Sequence, residues 1–276
     1  ARDEWFPVNG ILNSKSLTEG AGQVRAISRL ALDTAIRAGN MEPLHNAIEE
    51  LYKLEGDSSE QALRVVIVSS LAGGTGSGLI LPVALYLKNY LATKFQASAN
   101  ITRGFFILPE VFYEVIRGQS ERNNLKCNAY ATLRELDAFL MKGDETLPEK
   151  YEKTVKLEFP RVGSNDVEEY NVRPYDFCFL FDAQNTADTE GKKLNSFNQY
   201  LDHAANCIYS QSIGPMNKRS NSSEDNTIRE LCAERGRNRY AGAGSAMLIY
   251  PYEDVREYIA LNWTKECVSS QWLVFA

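Results

Sequence analysis

The chain is short of the residues that most metal, disulfide and acid–base centres need. It has two histidines, His45 and His203, which leaves little from which to build a histidine-rich metal site or a His-based catalytic triad. Its five cysteines, Cys127, Cys178, Cys207, Cys232 and Cys267, are odd in number, widely spaced and never arranged as CxxC. That excludes a zinc ribbon and argues against a disulfide framework, so the thiols read as reduced and the compartment as cytoplasmic. No run of 18 apolar residues offers a membrane span. The opening ARDEWFPVNG has no apolar core of a signal peptide, and no initiator methionine. Basic charge is also in deficit: 30 Lys and Arg against 36 Asp and Glu give a net charge of −6. Nucleic acid is therefore not an expected partner, since polyanions select basic surfaces.

What is present is an ordinary globular composition, 44% hydrophobic over 276 residues, enough for a substantial core. Helical spacing runs over 24–39, with Val24, Ile27, Leu30, Ala31 and Ala35 apolar and Gly39 closing it. A second helix is predicted over 42–54, presenting Leu44, Ala47, Ile48, Leu51 and Tyr52. LRVVIVSS (63–70), ITRGFFILPE (101–110) and YDFCFLFD (175–182) read as buried parallel strands. Between them lie predicted helices over 79–95, with Pro82 in the first turn, and over 123–140; another follows at 194–211. Residues 141–172 read as a hairpin or surface excursion, and 215–226 as a polar linker. A helix at 227–237, a strand at 242–251 and a helix at 252–269 complete the prediction. There is no internal repeat. Alternating strands and helices predict a three-layer α/β fold with a parallel sheet.

The chemistry-bearing stretch is SSLAGGTGSGLILP, 69–82, with four glycines among residues 73–78 between a strand and a helix. Glycines let backbone approach a phosphate, and the N–H groups of a helix start point at it. Thr75 and Ser77 add hydroxyls. A Walker loop is excluded because no lysine follows before Lys88, and the GGxGxG spacing does not fit the dinucleotide pattern GxGxxG. The alternative is a tight turn whose glycines serve packing alone.

LAGGTGSGL resembles the signature loop GGGTGSG of the tubulin/FtsZ superfamily in six of seven positions, with Ala72 replacing the first glycine. TEGAGQVRAISRLAL (18–32) resembles the GAG loop and helix of FtsZ. NAYATLRELD, within 108–139, resembles a run found in the tubulin-like proteins of bacteria outside the division group, the nearest likeness. The resemblance spans about residues 18–250 and implies a parallel-sheet GTPase domain over 1–211 and part of a second, α+β activation-type domain over 212–276. It implies GTP or GDP as ligand, with Mg2+ as a further possibility. Gly20, Ala21, Gly22, Ala72, Gly73, Gly74, Thr75, Gly76, Ser77 and Gly78 would be the phosphate side.

Asn185, in FDAQN, would read the guanine edge, or is simply a turn residue. Asn198, with Gln199 and Phe197, would meet the base from the central helix, although such an aromatic is more often core. Glu110 would bind ribose or, through water, magnesium, or is a solvated carboxylate.

In the superfamily a neighbouring subunit supplies acids that polarise the attacking water. The matching loop here, NSSEDNTIRE (221–230), keeps Asp225 and has Glu224 and Glu230 nearby. It loses the first Asn and last acid of the family pattern, which leaves hydrolysis open and a non-hydrolysing scaffold as an alternative. A Rossmann-type oxidoreductase is the more distant alternative. Arg229, Arg235, Arg237 and Arg239 form a basic cluster, either near the phosphates or on a solvated helix face. Head-to-tail filaments, a cytoskeletal or membrane-remodelling role and membrane-associated partner proteins are further implications. The superfamily's first strand and first glycine loop have no counterpart before residue 18, so a fragment is expected.

Overall fold

The computed structural model describes residues 6, 20–54, 63–95, 100–143, 147–183, 196–212, 239–244 and 251–272. The chain divides into two compact units, Ala1–Gly244 and Ser245–Ala276.

The first unit is built on a parallel sheet. Strands β1 (Arg64–Ser70), β2 (Ile101–Ile107), β5 (Phe177–Phe181) and β6 (Tyr240–Gly242) lie in the order β1-β2-β5-β6, and every pair is parallel. β3 (Leu157–Pro160) and β4 (Val167–Tyr170) form a separate antiparallel hairpin, as the excursion at 141–172 predicts. The helices of this unit are α1 (Arg25–Arg37), α2 (Glu42–Leu54), α3 (Gly74–Phe95), α4 (Gln119–Leu140), α5 (Glu149–Thr154) and α6 (Phe197–Ser212). In the second unit α7 (Tyr252–Cys267) buries none of its residues.

Side-chain alternation along the strands gives the sheet two covered faces. Phe106 and Cys178 join Leu32 and Ile36 of α1, Leu81 and Leu85 of α3 and Leu136 and Leu140 of α4 in one core. Phe105, Phe177, Phe179 and Phe181 point the other way and meet Tyr200, Ala204 and Cys207 of α6. The result is three layers, helix–sheet–helix, the predicted α/β class.

Four local expectations need correcting. β1 is not buried on both faces: β2 is its only partner among the described residues, and Val68 is 51% exposed. The buried stripe of α1 is Ile27, Leu32 and Ile36, so Leu30, Ala31 and Ala35 lie off its centre. On α2, Leu44 and Leu51 are exposed; the packed side is Ile48 with His45 stacked on Tyr90 at 4.0 Å and Tyr52 on Phe95 at 3.8 Å. Aromatic partners on α3 select that side over the aliphatic one. Last, the strand predicted at 242–251 is Tyr240–Gly242; residues 245–250, like the predicted 215–226 linker and 227–237 helix, lie outside the described residues.

The hairpin carries a pH-dependent contribution. Tyr170 is buried, stacks on Phe159 at 4.5 Å, and has its phenol pushed up to about 12, by burial first and by the Glu168 carboxylate second. A folded-state value above the unfolded one of about 10 gives stability that is full below that pH and lost as pH rises through the folded value. Melting temperature should therefore fall between pH ~10 and about 12. Tyr170→Phe should make the fall shallower, as thermal melts across that range would record; equal slopes would overturn the assignment.

Candidate functional site

Both glycine loops sit at helix starts, residues 72–78 at α3 and residues 20–22 ahead of α1. β1 ends at Ser70, and Leu71 N–H donates to the Ile107 carbonyl at 3.0 Å, which continues the sheet pairing one step. The chain then turns, with Ala72 N–H donating to Ser70 Oγ at 3.0 Å. α3 starts at Gly74, five residues earlier than its apolar run predicts, so three of the four glycines are helical. Gly73 is the residue flanking the start: its carbonyl accepts from Ser77 N–H at 3.3 Å and also from the Ser77 hydroxyl. The N–H groups of Gly74, Thr75 and Gly76 precede that first helical bond and are taken by no described group. Thr75 is exposed; Ser77 is buried and satisfied inside the helix, so it is not the outward hydroxyl expected of it.

Because the helix starts early, Pro82 lies in its third turn rather than its first. Proline removes the N–H that would serve the Gly78 carbonyl. Groups from outside the helix gather on either side: Arg25 Nε donates to Ser77 O at 3.3 Å, Thr132 Oγ1, whose one proton is shared with Asn128 O at 2.7 Å, lies 3.2 Å from Ser77 O, and Tyr175 Oη donates to Ile80 O at 2.6 Å.

The second loop closes on the first. Ala21 is buried and its carbonyl accepts from Val24 N–H at 2.9 Å. The two residues between, Gly22 and Gln23, have φ of 52° and 64°, as a type I′ turn requires. Gly20 is also left-handed, at 79°. A Cβ on Gly74 would lie 2.6 Å from Val24 N, and one on Gly78 would lie 2.5 Å from Arg25 O. A Cβ on Gly76 would lie 2.2 Å from Ser70 O, whereas one on Gly73 meets nothing within 4 Å. Of the four glycines in 73–78, three are thus fixed by packing between loop, strand and α1, and Gly73 faces open space.

The other candidates lie along the same carboxyl edge of the sheet, where ligands bind in open α/β folds. Glu110 is exposed in the short 3-10 turn after β2 and its carboxylate bonds to no described group. Asn198 is exposed in the first turn of α6, next to Phe197, whose ring lies 5.3 Å from Phe112. Glu114, which sequence reasoning passed over, accepts the Phe197 N–H at 2.8 Å and so ties the β2 loop to the start of α6. Asn185, Glu224 and Asp225 lie outside the described residues, with Arg229, Arg235 and Arg237. Of the basic cluster only Arg239 lies among the described residues, and for it neither reading holds. It is buried just before β6, at the amino end of the sheet, and donates to Asp176 O at 3.2 Å, so it neither faces the loops nor solvates a helix.

A further group missed in the sequence lies on α4. Asn128 Nδ2 donates to Gln23 O at 2.9 Å and to Ala72 O at 3.1 Å. Arg25 pairs with Glu135, with Nη1 at 2.9 Å from Oε1. The signal was available: Asn124, Asn128, Thr132 and Glu135 recur at helical spacing beside the apolar stripe.

Among the described residues no three His, Cys, Asp or Glu lie together so as to hold a metal ion, and no helix is long and apolar enough to cross a membrane. Among the described residues, Cys127, Cys178, Cys207 and Cys267 form no disulfide. No curated protein and no solved structure matches the chain significantly. The family model described as "Tubulin like" matches residues 2–269. With its parallel α/β sheet and paired glycine loops, the chain belongs to the tubulin-like family.

Proposed function

We propose that the chain binds GTP or GDP at the carboxyl edge of the sheet, with residues 72–78 and 20–22 around the phosphates. The observation that carries this reading is Gly73, the one glycine of the loop with no packing demand, beside three untaken N–H groups at the start of α3. Thr75 adds a hydroxyl. Glu110 is the ribose or magnesium-water ligand, Asn198 and Asn185 read the base, and the division between nucleotide-binding and activation-type parts falls after residue 211. Self-association is head to tail, a heterologous contact that yields filaments when it does not close. Glu224 and Asp225 then polarise water on the nucleotide of the next subunit, slowly. The setting is the cytoplasm of a bacterium, in a cytoskeletal or membrane-remodelling role with membrane-associated partner proteins.

The experiment is phosphate release at fixed GTP over a range of protein concentrations, beside Gly73→Asp. Aspartate is a favoured residue ahead of a helix and its Cβ meets nothing within 4 Å, so the variant should fold at least as stably as the parent. Its carboxylate would repel phosphate. A specific rate that rises with protein and vanishes in the variant supports an interfacial GTPase. Nucleotide binding lost in the variant, with no turnover in either, supports the scaffold that the altered acidic loop favours. Equal binding by parent and variant overturns the site.

A further inference from the structure

An anion-binding loop must turn its N–H groups toward the ligand, and its carbonyls must then face elsewhere and be satisfied there. Here two separate loops share the task, and their carbonyls at Gln23 and Ala72 face the same side chain. We propose that Asn128 is the positioning residue that holds the two glycine loops in mutual register, an inference that rests on the nucleotide reading for its purpose. A carboxamide has two N–H donors and both are used: Nδ2 reaches Gln23 O at 2.9 Å and Ala72 O at 3.1 Å. One rigid group therefore fixes the distance between residues 49 positions apart in the chain.

Gln23 needs such a hold. It is the one non-glycine with positive φ among the described residues, at 64°, a conformation that side chains with a Cβ resist. α4 grips it twice. Asn128 takes its backbone carbonyl, and Asn124, one turn earlier, donates to Gln23 Oε1 at 3.2 Å. One turn later, Thr132 Oγ1 lies 3.2 Å from Ser77 O, in the first turns of α3. The stripe 124, 128, 132 thus contacts the turn at 23, the bend at 72 and the helix at 77 in succession. α4 itself is anchored by Leu125, Ala129, Leu136 and Leu140, so the stripe has a fixed base.

The test separates geometry from packing by the order of two variants. Asn128→Asp keeps the shape and replaces the donors with a carboxylate facing two carbonyls; Asn128→Ala removes the group. A packing role makes alanine the worse change, and the positioning role makes aspartate the worse. Hydrogen exchange in the nucleotide-free protein reads the amides of Val24, Ala72 and Ser77, each hydrogen-bonded within its own loop or turn. Both variants should exchange there at least fivefold faster, aspartate fastest, while Tyr130→Ala on the exposed side of α4 leaves these rates unchanged. Titration with a fluorescent GTP analogue should show at least a tenfold weaker affinity in both Asn128 variants. Unchanged exchange in both, or alanine faster than aspartate, overturns the proposal whatever the titration gives. If the parent binds no analogue, the nucleotide reading fails and exchange alone decides the positioning role. If aspartate prevents folding, Asn128→Leu, which keeps the bulk and removes the donors, takes its place: exchange at least as fast as in Asn128→Ala supports the role, and slower exchange than in alanine rejects it.

Discussion

Replacing Gly76 with alanine should lower stability by about 2–3 kcal/mol, within the usual cost of forcing a methyl into filled space. For a chain of this size that is a fall in melting temperature of roughly 4–12 °C. The added Cβ would stand 2.2 Å from Ser70 O, 2.5 Å from Ser69 Oγ and 3.2 Å from Ser70 C. Two of those three atoms are backbone at the carboxyl end of β1, which cannot rotate away as a side-chain tip can. Relief requires α3 to lift from β1, and α3 is also held by α1, because a Cβ on Gly78 would meet Arg25 O at 2.5 Å. A favourable term opposes this: alanine is better than glycine inside a helix by about 1 kcal/mol. Steric displacement should outweigh it. Differential scanning calorimetry of Gly76→Ala beside Gly73→Asp checks both signs, with the first melting lower and the second no lower than the parent. A Gly76→Ala protein as stable as the parent would mean that α3 and β1 do not approach as described.

This pair of variants also answers the question posed by the loop's composition. In the sequence the four glycines are indistinguishable, and packing turn and phosphate cradle predict the same letters. The structure assigns Gly74, Gly76 and Gly78 to contacts with backbone, and leaves Gly73 for whatever approaches from outside. Packing therefore accounts for Gly74, Gly76 and Gly78, and the phosphate cradle stays a proposal that rests on Gly73. The boundary of α3 was illegible for a related reason: glycines and a proline at 82 score against a helix, and only tertiary contacts such as Arg25 and Thr132 on Ser77 O offset that.

The order of β1, β2 and β5 was legible because each is a largely apolar run, with longer helical segments between them. What a single chain's periodicity cannot supply is the neighbour. β1 looks like β2 in letters, yet among the described residues β1 has a neighbour on one side only and is partly exposed, whereas β2 is buried along its whole length. α2 turns aromatic rings rather than leucines inward because α3 presents Tyr86, Tyr90 and Phe95 to it. Asn128 escaped notice as a site residue because the polar stripe 124, 128, 132 and 135 marks a helix face without naming its partners, which for Asn128 are main-chain carbonyls. Arg239 looked like one of a basic cluster and is instead a strand-end residue bonded to the start of β5.

Phe105→Ala should be the most damaging single change on the opposite face of the sheet, at about 3–5 kcal/mol. Native stability is typically only 5–15 kcal/mol in total. The ring is fully buried and lies 4.8 Å from the Phe179 ring and 6.2 Å from the Phe181 ring, so its loss opens a cavity between β2 and β5. Large flat neighbours collapse poorly into such a void, because each is itself held: Phe179 leans on Phe177 at 5.2 Å, and Tyr200 donates to Ala183 O at 2.9 Å. α6 rests on this cluster through Tyr200, Ala204 and Cys207. Its first turn carries Asn198, while Leu71 and Ile80, which flank the glycine loop at 72–78, belong to the core on the other side of the sheet. The variant should therefore loosen the base side of the proposed site before the phosphate side. Urea unfolding should show a lower midpoint with an unchanged slope. Native-state hydrogen exchange should accelerate in α6 beyond the change seen in α3 and α4. Equal acceleration in all three helices would mean that the two faces of the sheet unfold as one unit, and a loss below about 1 kcal/mol would mean that the phenylalanine stack repacks around the gap.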